Sequence, residues 1–125
     1  MTLATWAAVA LAGAAGALAR YVIDRAIGRR VAAELPFGTL LVNVTGSLLL
    51  GWLTGLTLYH GFGGWREVVL GAGFCGAYTT FSTLTYETLV LGEEGQSGAA
   101  VMSVAANTFL GLGAAAVGLA LGAVA

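Results

Sequence analysis

GFCGAYTTFSTLTYE, residues 73–87, lies in the middle of an otherwise apolar chain, and its reading decides the fold. Five hydroxyls (Thr79, Thr80, Ser82, Thr83 and Thr85) accompany two glycines, Gly73 and Gly76. Glycine costs about 1 kcal/mol relative to alanine inside a helix, and β-branched threonine is also a weak helix former. In hydrocarbon, unwinding such a run frees amides and carbonyls that must find an ion, water or protein partners. The competing arrangement is a continuous helix whose hydroxyls bond back to carbonyls one turn earlier. The stretch predicts a membrane helix broken between about Gly73 and Thr80.

The surrounding sequence is built for lipid. The 125 residues are 58% apolar and only 9% charged, too little charge to cover a soluble surface of this size. Residues 1–19, 35–65, 68–86 and 95–125 contain no Asp, Glu, Lys or Arg. Each can supply the roughly 20 residues of a bilayer-crossing helix. The fold class is therefore an all-α membrane protein, a single domain over residues 1–125. Its four transmembrane helices are expected at about 3–27, 37–59, 65–92 and 96–122, the third being the broken one. Pro36 opens the second helix, the Gly61-Phe62-Gly63-Gly64 run ends it, and Glu93-Glu94-Gly95 turns the chain into the fourth. Loops this short make the neighbouring helices antiparallel. Ala17-Leu18-Ala19 resembles a signal-peptide cleavage site, yet no basic residue precedes Trp6, so the first helix is read as retained. The expected location is the plasma membrane, multi-pass and in contact with lipid.

Several functions find no support. Cys75 is the single cysteine and cannot form an intrachain disulfide. A net charge of −1 gives no reason to invoke nucleic acid. Gly71-Ala72-Gly73-Phe74-Cys75-Gly76 fits the dinucleotide fingerprint, but that pattern needs a preceding strand and a soluble βαβ unit. Cys75 and His60 lie far apart with no ligand cluster around either, so a transition-metal site has no support.

Polar residues form stripes. Thr39, Asn43 and Ser47 share one face of the second helix at i, i+4 and i+8. Ser103, Asn107 and Gly111 do the same on the fourth, with Thr108 beside them. Such residues serve either as interhelical glue or as the wall of a polar pathway, and two stripes beside the hydroxyl-rich break favour the pathway. Gly51 and Gly55, like Gly118 and Gly122, are spaced for close helix contact. Arg20 either snorkels with Asp24 as its i+4 partner or forms a positive collar at a pore mouth. Glu87 either rests at the interface or lines a vestibule. Arg25, Arg29 and Arg30 lie beyond Arg20 on one side, and Arg66 alone on the other. That bias toward one orientation is small enough to leave room for insertion both ways.

The sequence closely resembles the Fluc (CrcB-type) family of small fluoride channels. The likeness is carried by Gly16-Ala17-Leu18-Ala19-Arg20-Tyr21, by Gly38-Thr39-Leu40-Leu41-Val42-Asn43-Val44-Thr45-Gly46-Ser47, and by Gly73-Phe74-Cys75-Gly76-Ala77-Tyr78-Thr79-Thr80-Phe81-Ser82-Thr83 with Glu87 following. The resemblance implies an antiparallel, dual-topology homodimer whose two pores pass fluoride passively and exclude chloride. It implies a structural sodium ion on the dimer axis, held by the main-chain carbonyls of Gly76 and Thr79. It further implies that Asn43 donates amide hydrogens to fluoride, that Phe81 offers its electropositive ring edge, and that Thr80, Ser82, Ser103 and Asn107 belong to the same pathway. Arg20 and Glu87 would stand in the vestibule. The family's usual second phenylalanine is replaced by Leu84, so altered throughput is expected.

Two other readings compete with this one. A small multidrug-resistance-type exporter is also a four-helix, dual-topology dimer, but it needs a carboxylate deep in the membrane. Here Asp24 and Glu87 are peripheral. A purely structural membrane subunit would leave the hydroxyl cluster unexplained.

Overall fold

The computed structural model describes residues 1–30 and 35–125. Helix α1 spans Leu3–Arg30 and α2 spans Phe37–His60. The third crossing, Trp65–Glu93, is composite. It begins with α3 (Trp65–Glu67), continues as a π-helical run (Val68–Cys75) and a short α4 (Gly76–Tyr78), and resumes as α5 (Ser82–Glu93). Helix α6 spans Ser97–Val124. Four segments are thus long and apolar enough to cross a bilayer, and the chain is an integral multi-pass membrane protein. Large apolar side chains such as Leu3, Leu11 and Phe109 point outward, as lipid-facing residues do.

Backbone-to-backbone contact builds the bundle. Helices α2 and α6 pack most extensively against one another. Their seam is made by the glycine pairs: Gly55 and Gly122 approach so closely that a Cβ on Gly55 would lie 2.6 Å from the Leu119 carbonyl oxygen. A Cβ on Gly51 or Gly118 would collide with the Ala115 or Leu48 carbonyl. In lipid, where the hydrophobic effect offers little between helices, such close approach is a principal source of packing energy. Gly61 ends α2 in the left-handed region at φ 66°, where a side chain would be strained.

The third crossing differs from the expectation in one respect. Gly73 and Gly76 stay helical, and the interruption falls at Thr79–Phe81, where Thr79 is extended with ψ 158°. Gly73 is used for contact: a Cβ there would lie 3.1 Å from the Val9 carbonyl oxygen of α1. The hydroxyls, not the glycines, sit at the break. Thr80 Oγ1 accepts the Thr83 amide at 3.1 Å, which starts α5 as an N-cap does. Back-bonding hydroxyls occur as well: Thr79 Oγ1 donates to the Cys75 carbonyl, Thr85 Oγ1 to Phe81 and Thr88 Oγ1 to Leu84.

Candidate functional site

The break is clasped from outside chiefly by Asn43. In a continuous helix the Thr80 amide would donate to the Gly76 carbonyl. It donates instead to Asn43 Oδ1 at 2.8 Å, and Asn43 Nδ2 donates to the Thr80 carbonyl at 3.0 Å. A primary amide presents the same donor–acceptor edge as a peptide, so Asn43 completes the backbone pairing that the break removed. The second hydrogen of Asn43 Nδ2 goes to Asn107 Oδ1 at 2.9 Å, and Asn107 Nδ2 donates to the Ser103 carbonyl at 2.8 Å. The stripes of α2 and α6 therefore meet at the two asparagines, and both hydrogens of Asn43 are engaged within this chain. Ser103 is 3% exposed, and its hydroxyl has no partner among the described residues.

An open cavity of about 320 Å³ lies against this network. Asn43, Thr80, Phe81, Asn107, Thr108 and Leu84 are among its walls. Phe81 is 79% exposed, its ring standing free beside the break. Leu84 occupies the wall next to Phe81, so the missing second ring leaves an aliphatic surface on the cavity. Ser82 is exposed and does not line the cavity, and Ser103 lies behind Asn107.

A second, smaller cavity of about 160 Å³ lies on the Arg20 side, lined by Arg20, Asp24, Thr39, Thr80 and Thr83. Thr80 is common to both cavities and forms the partition. Arg20 donates from Nη1 to the Thr79 carbonyl at 3.3 Å, so its charge is turned toward the break. Glu87 is half-buried, and its Oε1 accepts the Thr39 hydroxyl at 2.9 Å while Oε2 is unpartnered among the described residues. The α2 stripe was legible in the sequence. The Thr39–Glu87 bond and the Thr45–Tyr78 hydroxyl pair at 2.9 Å were not, because they join residues 48 and 33 positions apart.

Oxygen donors for a cation are also present. Among the described residues no group of three His, Cys, Asp or Glu side chains gathers. The Gly76 carbonyl, which has lost the Thr80 amide, fits a hard cation that prefers oxygen. The Thr79 carbonyl fits less simply, since one of its lone pairs already faces the Arg20 guanidinium.

The family described as "CrcB-like protein, Camphor Resistance (CrcB)" matches residues 7–119. The chain belongs to that family. Its relatives include a protein of Leifsonia xyli named "Fluoride-specific ion channel FluC 1", 47% identical over 118 residues, covering 94% of this chain and 86% of the relative. "Fluoride-specific ion channel FluC 2" of Mycobacterium tuberculosis is 44% identical, covering 94% of this chain and 90% of the relative. "Fluoride-specific ion channel FluC 1" of Symbiobacterium thermophilum is 48% identical over 123 residues, covering 94% and 97%. These CrcB-like relatives bear the names of ion channels, not of enzymes. Every residue of the two cavities lies inside the matched region of this CrcB-like chain.

Proposed function

We propose that this chain is a fluoride-selective channel that lets fluoride leave the cell down its gradient. One observation carries the reading: a membrane crossing interrupted at Thr79–Phe81, clasped by Asn43 and opening onto a cavity lined with polar donors. The name shared by the relatives supports fluoride as the ion. Fluoride holds its water tightly, so a selective route must offer replacement donors without a site too deep to leave. The two Thr80 bonds fix the plane of the Asn43 amide, so its second hydrogen, now given to Asn107 Oδ1, points in a set direction where an anion could replace Asn107 as the acceptor. The exposed Phe81 ring adds an electropositive edge, and Arg20 concentrates anions in the smaller cavity. Thr80 passes the ion between cavities, Ser103 positions Asn107 through its carbonyl, and Ser82 stands exposed beside the break. Glu87, bonded to Thr39, borders the approach. Its tie to Thr39, rather than to a drug-sized cavity, gives the multidrug-exporter reading nothing to rest on.

A second copy, inverted and paired with the first, completes this proposal. The cavity is open on one side, and the polar side chain of Ser82 is exposed at membrane depth, where a polar group facing lipid is costly. Freed carbonyls near an anion route also need neutralising. A sodium ion shared by the Gly76 and Thr79 carbonyls of two copies would supply that charge. Among the described residues, a Cβ at Gly76 would meet only the Gly71 carbonyl, at 3.8 Å. Loss of dimer on Gly76→Val therefore reports what lies beyond the protomer, and unchanged assembly with unchanged sodium dependence removes the shared cation.

The decisive experiment uses purified protein in liposomes with a fluoride electrode. Fast fluoride efflux with little chloride loss is the expected result. Equal chloride loss, or no anion flux, overturns the reading.

A further inference from the structure

The polar wall of α6 ends at Asn107 and Thr108, because the next residue on the Asn107 face is Gly111. One further polar side chain follows on the facing helix. Ser47 of α2 stands opposite: a Cβ on Gly111 would lie 3.6 Å from Ser47 Oγ. The Ser47 hydroxyl has no hydrogen-bond partner among the described residues, unlike Thr45 and Thr54 on the same helix, whose hydroxyls bond back to the Leu41 and Leu50 carbonyls. Ser47 also joins two spaces. It lines the Asn43–Asn107 cavity and a further cavity of about 320 Å³ bounded by Gly51, Thr54, Ala115 and Leu119. The second space runs on along the α2–α6 groove toward the other membrane surface.

We propose that Ser47 is an additional anion-contacting residue, and that the ion passes over its hydroxyl from the asparagine cavity into the α2–α6 groove. The proposal rests on the fluoride-channel reading. A lone hydroxyl freed from back-bonding can point its hydrogen at an anion, which a threonine committed to its own helix cannot do without breaking a bond. The polar wall therefore changes helix at this level, from α6 to α2.

The test is fluoride efflux from liposomes for four proteins measured side by side: wild type, Ser47→Ala, Ser47→Thr, and Ser47→Ala with Gly111→Ser. Loss of one hydrogen bond to a charged species predicts an efflux rate about tenfold or more below wild type for Ser47→Ala. Ser47→Thr is expected to stay below wild type, since its β-branch restricts χ1 and favours rotamers in which the hydroxyl bonds back to the Asn43 or Val44 carbonyl. The double variant returns a hydroxyl from the opposite wall and is expected to recover most of the flux. A merely structural role for Ser47 predicts no such rescue. If wild type conducts and Ser47→Ala conducts equally, or if the double variant is no faster than Ser47→Ala, the inference is overturned. If wild type itself passes no fluoride, the channel reading fails instead.

Discussion

Asn43 holds Thr80 by both edges of its peptide, accepting the amide at 2.8 Å and donating to the carbonyl at 3.0 Å. Asn43 is therefore part of the scaffold, beside the contact with the ion proposed for it. Replacing it by leucine strands a donor and an acceptor at membrane depth, each costing about 1–3 kcal/mol. Asn43→Leu is expected to lower both the denaturation midpoint in detergent and the fluoride flux. Asn107→Leu leaves the clasp intact and is expected to lower flux with much less loss of stability. Equal midpoints for wild type and Asn43→Leu would contradict the scaffold role.

Arg20 offers a test by salt. Its charge acts on approaching anions over a screening length of about 30 Å at 0.01 M salt but only about 3 Å at 1 M. Arg20→Met is expected to cut fluoride flux several-fold at low ionic strength, with the deficit shrinking as inert salt is raised. A deficit that ignores salt would assign Arg20 to the Thr79 carbonyl alone.

Thr39 is the single hydrogen-bond partner of Glu87 among the described residues. Thr39→Val leaves that half-buried carboxylate without its donor and is expected to cost about 1–3 kcal/mol of stability. In a Glu87→Ala background the same change is expected to cost less, since the stranded group is gone. Additive losses in this double-mutant cycle would show that the bond is not coupled to stability.

At the α2–α6 seam, Gly118→Val places a side chain where the Leu48 carbonyl already stands. Overpacking of this kind is worth about 1–3 kcal/mol or more, and loss of monodisperse protein on gel filtration is expected. Gly113→Ala on the same helix meets nothing within 4 Å among the described residues and is expected to behave as wild type.

The four crossings are plain in the sequence, because each charge-free run matches the thickness of a bilayer and a soluble chain this short could not bury so many apolar residues. The glycine pairs and the asparagine stripes could also be read, since helical period alone puts Asn43 and Asn107 on polar faces. Pairing across the bundle stayed hidden. Nothing local in Thr80 says that its amide will be taken by a side chain 37 positions away. The break falls at the far end of the expected window, at Thr79–Phe81, for the same reason: glycine lowers helix propensity wherever it stands, but Gly73 is needed against α1. The hydroxyl of Ser47 was visible as part of a stripe, whereas its freedom from back-bonding became visible only in three dimensions.

The seam between α2 and α6 has a dynamic consequence. Two helices whose main chains touch through glycine cannot slide or tilt without separating carbonyl from Cα, so this half of the molecule is poorly suited to rocking between inward- and outward-facing shapes. In the proposed channel, passage then depends on small side-chain swings at fixed walls. Turnover should rise with warming only about as steeply as movement through water does, not with the steep slope of a carrier that must remodel itself for every ion.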